Sequence, residues 1–358
     1  MKYRNHVPAH AGRAGGAEAA GGEKTMHATD TPHTDGGTDA QTASHQLTAS
    51  HQSGPVGDKA GRHAFRAGFV TIVGRPNTGK STLLNLLTGE KIAIMSDKPQ
   101  TTRHAIRTIV GTERYQAVFI DTPGMHKPRN KLGEYMMGAV QAALKDVDAV
   151  IWMAEATDRE PGPGDRHILE ILQKSGRPVI LVLNKIDRVP REALLPAIAA
   201  WSALHPFAAI IPASALQPET RSLVMAEVEK LLPEGEPYFP EDTLTDQPEK
   251  VLVQELIREK ILRLLSDEVP HGTGVEVVRY KTNPQTQVLE IDANIYCERE
   301  SHKGILIGKG GAMLKRIGTL AREDVERLTE KKTFLRLWVK VRTDWRDNDL
   351  TLNELGYR

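Results

Sequence analysis

The chain has 358 residues, of which 39% are apolar and 26% charged, and its formal net charge is +1. This length favours two domains, and the near-neutral charge excludes a strong overall attraction to nucleic acid, so a nucleic-acid site would have to come from local clusters of cations. The single cysteine, Cys297, excludes an intramolecular disulfide framework and is typical of a cytoplasmic protein, and no apolar run approaches the roughly 18 residues of a membrane span.

The first 66 residues differ in composition from the rest of the chain. Ala, Gly, Thr, His and Asp dominate them, and no Ile, Phe or Trp occurs before Phe65. Such a segment cannot bury enough apolar surface to offset the entropy lost on ordering, and it lacks the continuous apolar core of a signal peptide. We therefore predict a disordered N-terminal extension over residues 1–66.

From Phe69 onward, short apolar runs alternate with stretches compatible with helices. The predicted strands are GFVTIV (68–73), YQAVFI (115–120), DAVIWMA (148–154), PVILVL (178–183) and AAIIP (208–212). The predicted helices are LLNLLTG, which ends at Gly89, and residues 132–145, 164–175, 191–204 and 219–232. This alternation predicts an α/β fold over residues 67–232, with a doubly wound, mostly parallel sheet that binds ligands beyond the carboxyl ends of its strands.

The stretch GRPNTGKST (74–82) lies between the first predicted strand and the first predicted helix. It matches the P-loop pattern, in which backbone N–H groups surround phosphate oxygens. Lys80 should reach the β- and γ-phosphates, and the Ser81 hydroxyl should ligate Mg²⁺. The alternative is a glycine-rich turn without a ligand. The nucleotide-binding candidates in this loop are Gly74, Arg75, Pro76, Asn77, Thr78, Gly79, Lys80, Ser81 and Thr82.

The sequence NKID (184–187) follows the predicted strand PVILVL and indicates which base is bound. Guanine presents two adjacent donors, its N1–H and its exocyclic amine, and the carboxylate of Asp187 can accept both hydrogen bonds. Adenine has no such pair, so GTP and GDP are the expected ligands. Asn184 and Lys185 complete the motif, and Ser214 with Ala215 would add a backbone N–H for the guanine O6.

Two further motifs are expected to surround the γ-phosphate. After the strand YQAVFI, Asp121 can hold the Mg²⁺ shell and the Gly124 N–H can sense the γ-phosphate, while Thr101 or Thr102 can close over both. The nucleotide-binding candidates here are Thr101, Asp121, Thr122, Pro123, Gly124 and Met125. The predicted metal ligands are Ser81, Thr102 and Asp121, and the predicted catalytic residues are Lys80, Thr102 and Gly124.

Taken in order, these motifs resemble those of the translation-factor-like class of GTPases. Many regulatory GTPases carry glutamine directly after the DTPG motif, where this chain has Met125. That difference predicts slow hydrolysis with the water placed by other means, although Met125 could also be a packing residue. Asn77 resembles the asparagine that helps some GTPases hold K⁺ against the phosphates, and the alternative is that it stabilises only its own turn.

The segment 233–250 is rich in Pro, Gly and acidic residues and is predicted to be a linker. Beyond it, the predicted order is helix (251–265), two strands (275–282 and 286–299), a short helix, GKGG (308–311), a long helix (312–330) and a strand (333–345). The GKGG turn joins two helices and lacks the Lys-Ser ending, so it is not a second P-loop. The order predicts an α+β type II KH domain over residues 251–345, followed by a C-terminal tail at 346–358.

In a KH domain, a GxxG turn lets the backbone approach about four nucleotides of single-stranded RNA. No acidic residue lies between His302 and Arg316. The RNA-binding candidates are Lys303, Ile307, Gly308, Lys309, Gly310, Gly311, Lys315 and Arg316. The alternative is a glycine turn between two packed helices. Trp338 and Trp345 could stack on bases, but the alternating neighbours of Trp338 favour a core position.

The motifs GRPNTGKST, QTTRH, DTPGM, NKID and GKGG, with the ending LRLWVKVRTDWRDN, resemble the Era family of bacterial GTPases over residues 66–358. The resemblance implies a monomeric, cytoplasmic GTPase that binds the 3′ end of 16S rRNA and assists assembly of the 30S ribosomal subunit. It also implies peripheral association with the inner face of the cell membrane. A non-catalytic RNA scaffold with a structural nucleotide, or a G protein partnered with an RNA-modifying enzyme, are the alternatives.

Overall fold

The computed structural model describes residues 64–96, 98, 101–125, 128–158 and 160–357. The N-terminal extension predicted over residues 1–66 lies almost wholly outside these described residues. The described residues fall within one compact unit, which contains two β-sheets.

The first sheet has six strands and is surrounded by five helices. The strands are β1 (Arg66–Gly74), β2 (Ile106–Gly111), β3 (Tyr115–Asp121), β4 (Ala149–Glu155), β5 (Val179–Asn184) and β6 (Ala209–Pro212). The helices are α1 (Lys80–Thr88), α2 (Lys131–Lys145), α3 (Pro163–Ser175), α4 (Arg191–Ser202) and α5 (Glu219–Leu231). The strand order is β2-β3-β1-β4-β5-β6, and only β2 runs antiparallel to its neighbour. The α/β prediction is confirmed, while the edge strand β2 was not among the predicted strands.

The central strands are buried on both faces, which explains their continuous apolar sequences. In β4, Ile151 packs into the cluster beneath α1 and α5, whereas its neighbour Trp152 packs on the opposite face. There the Trp152 ring meets Trp201 of α4 edge-on, with ring centroids 5.3 Å apart. Because β1, β3 and β5 run parallel, their carboxyl ends place Gly74, Asp121 and Asn184 at one edge of the sheet.

The predicted linker is fixed along the edge of this sheet by hydrogen bonds. The side chain of Gln116 in β3 accepts from the backbone N–H groups of Tyr238 (2.8 Å) and Phe239 (3.0 Å) and donates to the Phe239 carbonyl (2.8 Å). The N–H of Ile109 in β2 donates to the carbonyl of Leu244 over 2.9 Å. The connection therefore follows a defined path to the second sheet.

The second sheet has the strand order β7-β8-β9 and packs against helices. Its elements are α6 (Glu249–Leu264), β7 (Gly274–Thr282), β8 (Leu289–Cys297), α7 (Glu300–Ile307), α8 (Ala312–Thr329), β9 (Thr333–Val341) and α9 (Asp349–Glu354). The two predicted strands correspond to β7 and β8, which pair as an antiparallel hairpin, and β9 runs parallel to β8. The predicted α+β type II KH fold is confirmed, and Cys297 is buried in it.

The segment predicted as a C-terminal tail is packed into the fold. The indole N–H of Trp345 donates to the Gly272 carbonyl over 2.9 Å, and the side chain is fully buried. Leu355 and Tyr357 join the same cluster, which also contains Leu132 of α2. This C-terminal segment thus packs between α2, a helix of the first domain, and the domain that contains the second sheet.

The expected roles of the two tryptophans are reversed in the structure. Trp338 is 43% exposed, so its expected core position is wrong. The helices pack on the face of β9 that carries Leu335 and Leu337, and strand alternation turns Trp338 to the opposite face. Trp345 is buried and therefore cannot stack on bases.

This reversal predicts different stability effects for two substitutions. Trp345→Ala should lower the free energy of unfolding by about 3–5 kcal/mol, because it removes a buried indole and its hydrogen bond. Trp338→Ala should change it by about 1 kcal/mol or less, because the side chain is partly solvated. Urea denaturation of the full chain measures both values, and a larger loss for Trp338→Ala would contradict the observed burial.

Candidate functional site

A cavity of about 580 Å³ lies at the carboxyl ends of β1 and β5. This size is within the range of small-molecule sites. Candidates from the P-loop, from NKID, from the loops at Thr101–Thr102 and Gly124, and from the Ser214-Ala215 pair line it, namely Pro76, Asn77, Gly79, Lys80, Ser81, Thr82, Thr101, Thr102, Gly124, Asn184, Lys185, Asp187, Ser214 and Ala215. The fold therefore brings the motifs together around one space.

The glycines of the P-loop are required by close contacts as well as by backbone conformation. Gly79 has φ +102°, and a Cβ there would lie 2.3 Å from Nδ2 of Asn184. Gly74 has φ +154°, and a Cβ there would lie 2.5 Å from the carbonyl of Met153. Asn184 donates to the Thr78 carbonyl (2.7 Å) and accepts from the Ala215 N–H (2.8 Å). It thus ties the base-reading loops to the phosphate loop.

Lys80 is the first residue of α1 and lies buried under the loop. Its Nζ donates to the carbonyls of Gly74 (3.1 Å) and Arg75 (2.8 Å). Burial lowers the pKa of Lys80 to about 8, an effect that the nearby Asp121 carboxylate opposes. A bound phosphate would supply the negative charge that favours the ammonium form, at a helix N-terminus whose free N–H groups also favour anions.

Three oxygen donors meet beside Lys80. The Ser81 hydroxyl lies 3.1 Å from the Thr102 hydroxyl and 3.2 Å from Oδ2 of Asp121, and Thr102 lies 3.1 Å from that same oxygen. Within the described chain, Oδ1 of Asp121 is buried without a hydrogen-bond partner. Burial raises the pKa of Asp121 to about 6, although the Lys80 charge opposes this shift. Hard oxygens around an unsatisfied carboxylate fit Mg²⁺, which these three residues would hold.

Asp187 stands at the other end of the cavity with its carboxylate open to solvent. A hydrogen bond from the Ser214 side chain lowers the pKa of Asp187, so the group remains an ionised acceptor. Lys185 adopts φ +66° and its Nζ pairs with Glu155 at 2.6 Å. The arrangement suits recognition of a base with two adjacent donors.

Some predicted binding residues point away from the cavity. Nε of Arg75 donates to Asp165 of α3 over 2.9 Å, and the Thr122 hydroxyl donates to the Ile72 carbonyl over 2.7 Å. Met125 is 3% exposed and packs in the core between the sheet and α2, so it offers no polar group to a water molecule. Gly74, Thr78, Asp121 and Pro123 also do not line the cavity itself.

Six residues of the cavity wall were not among the sequence-derived candidates: Met95, Ser96, Lys98, Arg188, Leu216 and Arg263. Arg188 and Leu216 adjoin predicted motifs, so proximity in sequence could have suggested them. Arg263 belongs to α6, beyond the linker. No local signal could have identified it, because only the packing of the two sheets' domains brings α6 to the nucleotide cavity.

The GKGG turn is exposed and open on one side. Gly308, Gly310 and Gly311 all have positive φ values, of 71°, 59° and 80°. A Cβ on Gly308 would lie 2.7 Å from Cβ of Met313, whereas a Cβ on Gly310 would meet nothing within 4 Å. Gly308 therefore serves the turn itself, and Gly310, beside the exposed Lys309, leaves its backbone accessible to a ligand.

A groove of about 380 Å³ adjoins this turn, between α8 and β9. It is lined by Gly311, Leu314, Lys315, Gly318, Thr319, Arg322, Leu335 and Leu337. Of the RNA-binding candidates, Gly311 and Lys315 line the groove, whereas Lys303, Ile307 and Arg316 do not. Lys303 lies 3.6 Å from Glu300. Arg322 was missed because it lies farther along α8 than the glycine turn. An apolar wall with cations at its rim suits a single-stranded polynucleotide.

Together, the sheet, the P-loop pattern and the carboxylate of Asp187 in the cavity wall are those of a GTP-binding protein that also carries a KH fold. A family model described as a 50S ribosome-binding GTPase matches residues 69–185, and one described as a KH domain matches residues 268–346. GTPase Era of Ruminiclostridium cellulolyticum is 51% identical over 295 residues, which cover 82% of this chain and 98% of that protein. GTPase Era of Clostridium kluyveri is 50% identical over 294 residues, which cover 82% and 100%.

Two solved structures of Era are also similar to this chain. One is an Aquifex aeolicus Era variant bound to GDP·AlF4⁻, and the other is Era in complex with MgGDPNP and nucleotides 1506–1542 of 16S ribosomal RNA. Each has 38% sequence identity and a TM-score of 0.78, and the match covers 82% of this chain and 99% of that structure. This chain belongs to the Era family of GTPases and is a GTP-hydrolysing enzyme.

The geometry at Asp187 predicts a change in base preference. Asp187→Asn should weaken GTP binding by at least about 100-fold, because two charge-assisted hydrogen bonds to guanine are lost. Binding of xanthosine triphosphate should improve, since its base offers a carbonyl in place of the exocyclic amine. Equilibrium titration with fluorescent nucleotides measures both affinities. Asp242→Asn, at an exposed linker carboxylate, is the control, and unaltered GTP binding by Asp187→Asn would contradict the base-reading assignment.

Proposed function

We propose that this GTPase binds the 3′ end of 16S rRNA through its KH groove and assists assembly of the 30S ribosomal subunit in the cytoplasm. The observation that carries the proposal is the accessible backbone at Gly310, next to a groove with apolar walls and a cationic rim. The RNA-bound Era structure supports the same assignment of RNA class, because it matches this chain across both domains.

In this proposal the turn and the groove have separate tasks. The backbone at Gly310 allows a sugar-phosphate chain to come close, while Lys309 and Lys315 neutralise phosphates. Bases would lie along the wall formed by Leu335 and Leu337. RNA binding is then compatible with the net charge of only +1 for the whole chain, because cations are concentrated where the RNA would contact the KH groove.

The bound nucleotide would influence the KH domain through two adjacent residues, Thr102 and Arg103. Thr102 faces the proposed Mg²⁺ site, whereas the next residue, Arg103, is fully buried against the second domain. The Arg103 guanidinium donates to the carbonyls of Thr273 (2.6 Å) and His271 (2.9 Å). GTP with Mg²⁺ would hold Thr102 in place, and the rigid neighbour would convey that position to the KH domain, so that RNA affinity depends on the nucleotide.

Hydrolysis would use electrostatic stabilisation rather than a positioned amide. Lys80 and the Gly124 N–H would stabilise the γ-phosphate. Ser81, Thr102 and Asp121 would hold Mg²⁺, which would supply positive charge beside the phosphates. Because Met125 packs in the core, we infer slow turnover. Asn77 lines the cavity at φ +65°, and we propose that it helps to hold K⁺ against the phosphates.

Two properties implied by family resemblance remain predictions: the monomeric state and peripheral association with the membrane. Within the described residues, no helix is sufficiently long and apolar to cross a bilayer.

The RNA assignment is tested by Gly310→Asp. A negative side chain at this open position should repel the phosphate backbone and lower affinity for a single-stranded 16S rRNA 3′-end oligonucleotide at least tenfold, with GTP hydrolysis retained. Gly176→Asp is a matched control, because Gly176 also has a positive φ, of 63°, and open space around its Cβ position. Fluorescence anisotropy gives the affinities, and equal binding by both variants would contradict RNA binding at this turn.

The K⁺ proposal is tested by measuring GTP turnover in K⁺ and in Na⁺, each with and without the RNA. Turnover should be several-fold higher in K⁺, because a weakly hydrated cation can stay against the phosphates, and Asn77→Ala should remove the difference. Equal turnover of the unmodified chain in the two salts would contradict a role for K⁺. Absence of turnover in every condition would favour the scaffold alternative.

A further inference from the structure

The cavity wall contains a residue from the KH domain, Arg263 of α6, that the reaction described above does not use. It lies against the switch loop, which is the name given to residues 95, 96, 98 and 101–103. We propose that α6 holds the switch loop in the shape that retains GTP, with Glu259 and Arg263 as positioning residues for the GTPase reaction.

The main contact involves both backbone polar groups of Met95, its N–H and its carbonyl. The N–H of Met95 lies 3.5 Å from Oε1 of Glu259, and Nε of Arg263 donates to the Met95 carbonyl over 3.1 Å. Glu259 and Arg263 are one helical turn apart and pair with each other at 2.7 Å. Since Met95 lines the nucleotide cavity, α6 determines the position of part of its wall.

Two further contacts extend along the loop. Nζ of Lys98 donates to the carbonyl of Leu265, the residue that caps α6, and the Arg258 guanidinium donates to the carbonyl of Thr101. Three of the four contacts involve backbone atoms of the loop, so they depend on its shape rather than on its side chains. The last contact stands directly before Thr102, the residue that faces the Mg²⁺ site.

The α6 side of these contacts is rigid because the charge of Glu259 is buried and paired. Glu259 is fully buried, and its other oxygen, Oε2, pairs with Lys91 at 2.9 Å and with Lys260 at 3.2 Å. Lys260 also pairs with Asp324 of α8. Buried ions must keep their partners, because an unpaired charge in the interior is costly, so the orientation of Glu259 is tightly determined. The Met95 peptide is therefore held against a fixed partner.

These contacts have a thermodynamic consequence for nucleotide binding. Thr102 is expected to engage Mg²⁺ and the γ-phosphate, a group that GDP lacks, and the α6 contacts exist when Thr102 lies at the metal site. Contacts present only in that shape favour the ligand that requires it. Arg263 should therefore slow the release of GTP more than the release of GDP, although it lies outside every predicted nucleotide motif.

The test is Arg263→Ala in the full chain, with dissociation of fluorescent GDP and of a fluorescent non-hydrolysable GTP analogue measured by stopped flow. Release of the GTP analogue should be about tenfold faster, the lower end expected for loss of one charge-assisted hydrogen bond, with less than a twofold change for GDP. Arg279→Ala is the matched control, because Arg279 pairs with Glu290 at 2.6 Å and is 48% exposed, against 44% for Arg263. It should leave both rates unchanged.

Two further variants separate positioning from other roles. Arg263→Lys keeps the charge and a donor and should recover most of the slow GTP release. In a Thr102→Ala background, Arg263→Ala should have almost no additional effect, because the loop is already released from the metal site. Equal acceleration for both nucleotides would show direct contact with their shared part and overturn the proposal, as would rates equal to those of Arg279→Ala. Either failure would leave the RNA proposal intact, since that one rests on Gly310.

Discussion

The structure depends on the loop that contains Thr102 and Arg103, because this loop contacts both the nucleotide cavity and the KH domain. Thr102 places its hydroxyl beside Ser81 and Asp121 at the proposed metal site, and the next residue, Arg103, is completely buried against the second domain. A buried guanidinium without partners would be strongly destabilising, so Arg103 keeps its bonds to the His271 and Thr273 carbonyls. With so little chain between the two anchors, the metal site and the KH domain cannot be displaced independently here.

The nucleotide site buries two ionisable side chains that a bound nucleotide with Mg²⁺ would stabilise in their charged forms. Lys80 and Asp121 are both buried. Burial lowers the pKa of Lys80 and raises the pKa of Asp121, and both shifts favour the neutral form of the group. Carbonyl groups and hydroxyls partly satisfy them, but one oxygen of Asp121 lacks a partner among the described residues. A triphosphate with Mg²⁺ would supply both missing charges. Groups held in advance in this way need little reorganisation during the reaction, which is the main source of electrostatic catalysis.

Glycine has different roles in the P-loop and in the GKGG turn. A side chain on Gly79 would collide with Asn184, because the P-loop is enclosed by neighbouring loops of the same domain. Gly310 has open space around it, because its turn projects from the surface between α7 and α8. The enclosed turn suits a compact ligand that is surrounded on most sides. The open turn suits a chain that must enter and leave the groove at both ends.

The sequence by itself determined the fold class, most of the elements in both domains, the guanine-nucleotide motifs and the GKGG turn, but not the edge strand β2 or the helix α9. These features follow from local patterns: apolar periodicity, glycine spacing and the residues next to strand ends. Only the tertiary structure decided that Met125 packs in the core, that Trp345 is buried while Trp338 is exposed, and that Arg263 reaches the nucleotide cavity. Each of these depends on which distant segment covers the residue, and no local pattern contains that information.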